Sequence, residues 1–245
     1  MSGFGIVFIH GAGLGSFIWR EMVPHLNYAC LFTDFPNREG PKDENRSLLF
    51  ADYLDSLARQ IEHHDFDEFV IVAHSIGGCL GLKLANRFAD RMLGFIAIGS
   101  ALPKRGRSFI SCLPFPQNVL MPIILKLFGT KPPTSSIEQE LCNDLSQQLT
   151  AEVVARFTPE SNSLFTTNVD YDRLPRPSMY LTLTNDRSLS VKTQAVMATN
   201  LDAQNTTKLD SGHLPMLSKP EEVARIINSF VKSLAIQEQS KSEAS

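Results

Sequence analysis

Ser75, Asp186 and His213 are three side chains of this sequence whose types and order along the chain suit nucleophilic catalysis. Each follows a short apolar segment that is typical of a β-strand. A serine hydroxyl is a poor nucleophile until a base removes its proton, and a histidine base needs a carboxylate to fix its tautomer. Loops that follow parallel strands meet at one edge of a sheet. We therefore predict that Ser75 is a nucleophile, that His213 is its base and that Asp186 orients His213.

The segment around Ser75 has the pattern of a strand that stops in a sharp turn and continues as a helix. Residues 69–72 are β-branched or aromatic, as in a buried parallel strand. The apolar residues that follow recur at helical spacing, namely Leu80, Leu84 and Phe88. The small residues Ala73 and Gly77 allow the strand and the helix to pack closely. Such a turn would expose the hydroxyl of Ser75 and aim the N–H of Ile76 at a developing oxyanion.

A second turn, with the sequence His-Gly-Ala-Gly at 10–13, follows the first apolar segment. The G-x-G-x-x-G pattern of dinucleotide sites is absent. The small residues instead allow the N–H of Ala12 to approach a substrate oxygen as the second oxyanion donor. Residues beside the two turns and the base are predicted to line the substrate site, namely His10, Gly11, Leu14, His74 and Leu214. For His10 and His74, which point from tight turns, a structural role is the alternative.

Other polar residues are weaker candidates for these roles. Asp210 is the second choice for the acid, because it lies too close to His213 in sequence to orient it from the opposite side. Cys79 lies one helical turn after Ser75 and is expected to pack inside the protein. His63 and His64 are adjacent at the end of a helix and cannot easily face one ion, so we predict no metal site.

Composition excludes several classes of function. The 245 residues carry a net charge of -3, so no overall basic field favours nucleic acid or an anionic membrane. The first apolar run lacks a basic region before it, and no segment approaches the length of a membrane span. The four cysteines are far apart and lack metal or redox spacing, namely Cys30, Cys79, Cys112 and Cys142. Free thiols and a cytoplasmic location are expected.

Strands and helices alternate along most of the chain. The predicted strands are 5–9, 29–33, 69–72, 93–98, 178–183 and 206–209. This alternation predicts an α/β fold with a six-stranded, mostly parallel sheet and helices on both faces. The last helix is expected to begin after Ser218, with Glu221 completing a capping box.

Residues 103–177 break this alternation, since they are rich in proline and contain no clear strand. Helices are predicted around 136–145 and 151–157. A structureless loop of this length is improbable inside a compact domain, so an inserted helical cap is the better interpretation. A cap there would cover the carboxyl ends of the strands, where open α/β sheets bind ligands. The predicted division is a core of 1–102 and 178–236, a cap of 103–177 and a polar tail of 237–245.

The sequence resembles α/β-hydrolases over nearly its whole length, and more narrowly the plant methylesterase and hydroxynitrile lyase group with its bacterial relatives. The motifs that carry this resemblance are at 9–12, 73–78, 183–189 and 212–220. The order serine, aspartate, histidine along the chain is also that of α/β-hydrolases. The resemblance implies a carboxylic ester hydrolase acting on a small ester, such as a methyl or aryl ester, without a metal or organic cofactor.

Two positions distinguish the branches of this group. The related hydroxynitrile lyases carry threonine where this chain has Gly11, and lysine directly after the catalytic histidine, where this chain has Leu214. That lysine stabilises the leaving cyanide, so its absence favours the esterase branch. A third difference, Ala73 in place of the usual glycine, keeps a small residue in the turn.

The expected partner is a small-molecule ester, with no nucleic acid and no membrane span. An apolar surface of the cap could serve a homodimer. Two alternatives stay open: a carbon–carbon lyase on the same scaffold, and a ligand receptor of the same fold with slow turnover. Release of cyanide from a cyanohydrin would indicate the lyase, whereas tight, saturable ligand binding would indicate the receptor.

Overall fold

Six strands form one sheet in the computed structural model, which describes residues 3–38 and 44–243. The strands are β1 (Phe4–Ile9), β2 (Ala29–Phe32), β3 (Glu68–His74), β4 (Met92–Ile98), β5 (Ser178–Leu183) and β6 (Asn205–Leu209). Their order across the sheet is β2-β1-β3-β4-β5-β6, and every neighbouring pair is parallel. The six predicted strands and the predicted parallel sheet are therefore confirmed.

Nine α-helices occur among the described residues. They are α1 (Phe50–Glu62), α2 (Gly77–Arg87), α3 (Gln117–Phe128), α4 (Thr134–Ser136), α5 (Gln147–Arg156), α6 (Asn162–Thr166), α7 (Val191–Leu201), α8 (Pro215–Ser218) and α9 (Pro220–Glu243). The 3₁₀ segments are Ser16–His25, Glu44–Ser47 and Phe109–Cys112, and Ile137–Leu141 forms a π-helical turn. No helix of the described residues is long and apolar enough to cross a membrane.

The helices cover both faces of the sheet. Successive side chains of each strand point in opposite directions, so neighbouring residues pack against helices on different faces. Ile71 of β3 packs on one face in a cluster that includes Leu57 of α1. Val72, the next residue of β3, packs on the other face in a cluster that includes Ile227 of α9. The near-continuous apolar strands of the sequence are explained by this burial on both faces.

The helix that follows β1 is a 3₁₀ helix, Ser16–His25, and contains Pro24. Trp19 and Met22 are both fully buried and lie three residues apart, so they share one side of a helix with three residues per turn.

The predicted start of the last helix differs from the structure. Ser218 is the final residue of the short helix α8, and its Oγ lies 2.9 Å from Ser211 Oγ. The final helix α9 begins at Pro220, a residue that suits the first turn because the first N–H groups of a helix lack partners. The helix continues to Glu243, beyond the boundary at residue 236 that the sequence predicts.

Residues 103–177 lie between β4 and β5 and contain helices α3 to α6. The two helices predicted near 136–145 and 151–157 correspond to α4 with its π-helical turn and to α5. The sequence did not predict α3, whose apolar stretch lacks a polar face. An antiparallel bridge between Arg107 and Val169 joins the two ends of this segment. Phe157 and Leu164 pack into the two core clusters, so the segment is anchored to both faces of the sheet.

Candidate active site

Ser75 lies in the turn between β3 and α2 with a φ of 53°. This left-handed conformation costs a residue with a side chain about 1–3 kcal/mol, so the surroundings must hold it. The carbonyl oxygen of Ser75 accepts three hydrogen bonds, from Gly78 N at 3.1 Å, Ala101 N at 2.9 Å and Ser100 Oγ at 2.8 Å. Ser100 and Ala101 follow the neighbouring strand β4, so the adjacent strand fixes the turn.

The small residues of this turn are required by close backbone approaches. A Cβ at Gly77 would lie 2.6 Å from the carbonyl oxygen of His10. A Cβ at Gly78 would lie 2.3 Å from Ser100 Oγ. Both distances are shorter than non-bonded atoms tolerate. The spacing predicted from the sequence therefore has a direct steric cause.

The structure brings Ser75, His213 and Asp186 together in one hydrogen-bonded chain. Nε2 of His213 lies 3.1 Å from Oγ of Ser75. Nδ1 of His213 lies 2.8 Å from Oδ2 of Asp186. A carboxylate only accepts, so Nδ1 carries a proton and Nε2 is free to accept the proton of Ser75. The arrangement can activate a serine hydroxyl by general-base chemistry.

Asp186 is fixed in this position by the loop after β5. Its Oδ1 accepts hydrogen bonds from Ser188 N at 2.8 Å and from Leu189 N at 2.9 Å. The side chain of Gln194 is fully buried beside it, and its Nε2 lies 3.5 Å from Oδ2. Gln194 also pairs with the backbone of Leu183 in both directions, at 2.8 and 2.9 Å. The sequence pattern gave no signal for Gln194.

The second choice for the acid does not reach His213. Asp210 is exposed and accepts hydrogen bonds from Thr184 Oγ1 at 3.2 Å and from Asn185 Nδ2. Cys79 is fully buried, its Sγ lies 3.6 Å from the carbonyl oxygen of Ala101, and burial raises its pKa well above the usual value. Neither residue competes for a role at Ser75.

Ala12 and Ile76 border the same cavity as Ser75 and His213. Within the described parts of the chain, the N–H groups of Ala12 and Ile76 donate to no protein acceptor. The next N–H in the first turn, that of Gly13, is already engaged by Glu160 Oε1 at 2.9 Å. Ala12 therefore offers a free donor beside Ser75. Ile76 offers another at the N-terminus of α2, where the helix dipole favours negative charge.

His10 does not line the cavity, contrary to the prediction, because it is fully buried behind the first turn. Its Nε2 accepts a hydrogen bond from Phe35 N at 3.1 Å, and its Nδ1 donates to the carbonyl oxygen of Gly11 at 2.8 Å. Burial lowers the pKa of His10. Both ring nitrogens are thus used by the neutral imidazole to connect the turn to the loop after β2.

His74 is also fully buried, and the prediction that it lines the substrate site is wrong. Its Nε2 donates a hydrogen bond to the carbonyl oxygen of His213 at 2.8 Å. Burial, with a smaller contribution from the neighbouring His213 ring, lowers its pKa well below the usual value. The neutral ring therefore supports the backbone of His213 from below.

Gly11 and Leu214 were predicted to line the site as well, and neither borders the cavity. Leu214 is fully buried in the core cluster. A Cβ at Gly11 would lie 2.8 Å from Ser75 Cβ and 3.3 Å from Ser75 Oγ, so the residue must be small to leave room for the nucleophile. Leu14, by contrast, borders the cavity.

The cavity above Ser75 has a volume of about 240 Å³. Its walls are mostly apolar, and most of the apolar residues come from the segment between β4 and β5. Besides Ala12 and Ile76, they are Leu14, Phe109, Leu113, Met121, Leu125, Pro132, Ile137, Leu141, Phe157, Phe165 and Leu189. Fewer polar side chains border it, namely Gln117, Thr130, Ser136, Glu140 and Ser188. Such a site would take a small, mainly apolar molecule with one polar group near Ser75.

Two contacts from the segment 103–177 hold the turns of the site, and the sequence gave no signal for either. Glu160 accepts from Gly13 N at 2.9 Å and forms a buried ion pair with Arg38, whose Nε donates to the carbonyl oxygen of Leu14 at 2.6 Å. Asp144 Oδ2 accepts from Gly212 N at 2.6 Å, directly before His213. The partners are far apart in sequence, so no local pattern could reveal them.

The predicted absence of a metal site concerned His63 and His64. His63 is exposed, and its Nδ1 donates to the carbonyl oxygen of Arg59 at 2.7 Å. The ring of His64 packs on Phe66. No group of three or more His, Cys, Asp or Glu side chains in the described residues is arranged to hold a metal ion.

Comparison with known proteins shows which protein family the chain belongs to. The model of the alpha/beta hydrolase family matches residues 6–226, and the chain belongs to that family. Haloalkane dehalogenase of Mycolicibacterium smegmatis is 34% identical over 110 residues, which are 38% of this chain and 32% of that protein. The alignment thus spans about a third of that curated relative.

Solved structures of other proteins superpose on nearly the whole of this chain. An extracellular alpha/beta-hydrolase from a Paenibacillus species, described as sharing homology with tobacco Salicylic Acid Binding Protein 2, has a TM-score of 0.81 at 18% identity and covers 91% of this chain and 97% of its own. A pyrethroid hydrolase from Sphingobium faniae JZ-2 has a TM-score of 0.76 at 20% identity, covering 96% and 99%. The predicted α/β-hydrolase fold is confirmed.

Proposed function

We propose that this α/β-hydrolase is a carboxylic ester hydrolase that cleaves a small ester through an acyl-enzyme. The observation that carries the proposal is the hydrogen-bonded chain from Asp186 through His213 to Ser75 at the floor of an apolar cavity. The pyrethroid hydrolase fold relative supports hydrolysis as the reaction class. A methyl or aryl ester fits the small volume of the cavity.

In the first half-reaction, Ser75 Oγ attacks the ester carbonyl carbon while His213 Nε2 takes its proton. The carbonyl oxygen becomes an oxyanion, which the N–H groups of Ala12 and Ile76 stabilise. Asp186 stabilises the imidazolium that forms. The ester C–O bond then breaks, His213 returns the proton to the leaving alcohol, and the acyl group stays on Ser75.

In the second half-reaction, a water molecule attacks the acyl carbon while His213 removes a proton from that water. The bond between the acyl carbon and Ser75 Oγ breaks, and the proton passes back to Ser75. The products are a carboxylic acid and the alcohol. Every proton in this sequence moves through His213, and the reaction draws on no metal or organic cofactor.

Among the side chains that border the cavity in the described structure, none is a lysine or arginine. The lyase alternative needs a cation to stabilise a leaving cyanide, and Leu214 occupies the position where the related lyases have one. A threonine in place of Gly11 would also crowd Ser75, as the 2.8 Å approach of its Cβ indicates. These contacts favour hydrolysis over the lyase reaction.

The test is hydrolysis of a panel of p-nitrophenyl esters of increasing acyl length by the wild type and by Ser75→Ala. The matched control is Ser233→Ala, in helix α9 and outside the site. We expect activity to vanish in Ser75→Ala and to persist in the control, with a preference for short acyl chains. Residual activity in Ser75→Ala equal to that of the wild type would refute Ser75 as the nucleophile.

A further inference from the structure

Helix α3 exposes a continuous apolar surface. Of the eleven large hydrophobic side chains that are exposed in the described residues, seven lie between residues 115 and 128. They form what we term the α3 face: Phe115, Val119, Leu120, Ile123, Ile124, Leu127 and Phe128. Their exposed fractions range from 44% to 81%. A cluster of this kind marks an interaction surface, whereas scattered exposed apolar residues need no explanation.

The same helix also contributes to the cavity above Ser75. Gln117, Met121 and Leu125 recur at intervals of four residues and border that cavity. One side of α3 therefore lines the cavity and the other side carries the α3 face. Whatever covers the α3 face lies one helix diameter from the cavity, about 10 Å.

The charge of this region differs from that of the whole protein. Residues 103–137 contain five basic residues and no acidic residue, although the chain as a whole has a net charge of -3. Arg105 pairs with Asp170 at 2.7 Å, which neutralises one of the five. Lys126 and Lys131 are exposed beside the α3 face, and among the described residues no carboxylate lies within ion-pair distance of either.

A groove of about 500 Å³ opens at the C-terminal end of α3. Arg46, Lys126 and Lys131 border it, next to Leu127 and Phe128 of the α3 face. Positive side chains beside exposed apolar ones are typical of helices that lie in the interface of an anionic membrane. Glu160 also borders this groove, but its carboxylate is engaged by Arg38.

We propose that the α3 face binds the surface of an anionic lipid bilayer, with the apolar side chains in the acyl boundary and Lys126 and Lys131 at the headgroups. A second copy docked through the same face would offer these lysines no carboxylate from residues 103–137. The charge of the surface therefore favours an anionic lipid layer over a second copy. This binding does not depend on whether Ser75 hydrolyses an ester.

The experiment is co-sedimentation of the protein with vesicles of phosphatidylcholine alone and of phosphatidylcholine with phosphatidylglycerol, at low and high salt. We expect wild type and Ser75→Ala to bind the anionic vesicles equally, and high salt to weaken that binding. Ile123→Gln with Leu127→Gln should lower the partition coefficient by about tenfold or more, because apolar surface is withdrawn from the bilayer. The matched control is Val196→Gln, an exposed valine of α7, which should bind as wild type does.

Lys126→Gln with Lys131→Gln should remove most of the preference for anionic vesicles. Circular dichroism reports whether each variant is folded, and hydrolysis of a soluble ester is a second check for the variants that keep Ser75. Equal partition of the wild type and the Ile123/Leu127 variant, or no binding to any vesicle, would overturn the proposal. A concentration-dependent dimer that the Ile123/Leu127 variant loses, in the absence of vesicle binding, would overturn it in favour of a second copy.

Discussion

Glu160→Gln tests whether the segment between β4 and β5 positions the turn that contains Ala12 and Gly13. Glu160 holds Gly13 N and pairs with Arg38, and the two side chains are only 1% and 9% exposed. Glutamine keeps an oxygen that can accept from Gly13 N but removes the charge that balances Arg38. The substitution therefore separates the hydrogen bond to the turn from the buried ion pair.

The loss of stability expected for Glu160→Gln follows from the burial of the ion pair between Glu160 and Arg38. Removing one partner of a buried ion pair destabilises a protein by about 3–5 kcal/mol, because the other charge stays buried without compensation. Arg38 keeps its hydrogen bond to the carbonyl oxygen of Leu14, so we expect the lower end, about 3 kcal/mol. For a domain of this size that loss lowers the melting temperature by roughly 6–12 °C. We also expect kcat to fall by about tenfold, less than the 10²–10³-fold cost of a lost oxyanion donor.

Chemical denaturation and steady-state kinetics on a short p-nitrophenyl ester measure both effects. The matched control is Glu62→Gln, because Glu62 pairs with Arg87 at 3.0 Å on the surface and such pairs contribute less than about 1 kcal/mol. Arg38→Ala with Glu160→Ala should cost less than the sum of the single substitutions, since no charge is left unpaired. Additive losses, or a Glu160→Gln loss no larger than that of the control, would refute the reasoning.

Three further substitutions test other parts of the site. Asp186→Asn should lower kcat by about 10⁴-fold, because His213 would then adopt the wrong tautomer. The control Asp210→Asn changes an exposed carboxylate, and its kcat should stay within a few-fold of the wild-type value. Similar losses of kcat in the two variants would contradict the assignment of Asp186 as the acid. Gly11→Ala places a methyl group 2.8 Å from Ser75 Cβ and should slow acylation at least about tenfold, as a pre-steady-state burst would show. Burial holds the pKa of His74 well below its usual 6.5, so at lower pH the unfolded chain binds a proton that the folded protein does not. The free energy of unfolding therefore decreases as the pH falls below 6.5, by at most about 1 kcal/mol per pH unit. His74→Asn should flatten that decline in denaturation measured from pH 7 down to pH 5, and an unchanged slope would contradict it.

The sheet and the elements that carry Ser75, Asp186 and His213 were predictable because their signals are local. A buried parallel strand is apolar throughout, and a helix repeats its apolar residues every three or four positions. The turn at Ser75 needs small residues at fixed distances, and Gly77 and Gly78 show the close approaches that explain this. Each of these patterns lies within a short stretch of the chain, so the sequence alone reveals it, although the atoms that Gly77 and Gly78 approach belong to His10 and Ser100.

The lining of the cavity was predicted poorly because side-chain direction depends on the surrounding structure. His10 and His74 lie beside the turns in sequence, yet both point into the core and bind backbone groups. The apolar walls come instead from α3 and its neighbours, in the segment 103–177 that the sequence predicted as a helical cap without assigning lining residues to it. The sequence analysis did not predict helix α3, because a surface helix is recognised by a polar face opposite an apolar one. The exposed side of α3 is apolar, so this pattern is absent.

The order of the strands explains why the site needs contacts from outside the sheet. His213 follows β6 at the edge of the sheet, and two strands, β5 and β4, lie between β6 and β3, the strand that precedes Ser75. The loop that carries His213 must therefore cross the ends of both strands to place Nε2 at 3.1 Å from Ser75 Oγ. Asp144 holds this loop at Gly212 N, and His74 holds the carbonyl oxygen of His213 from the opposite side. A long-range contact is thus required on each side of His213, and neither has a local sequence pattern.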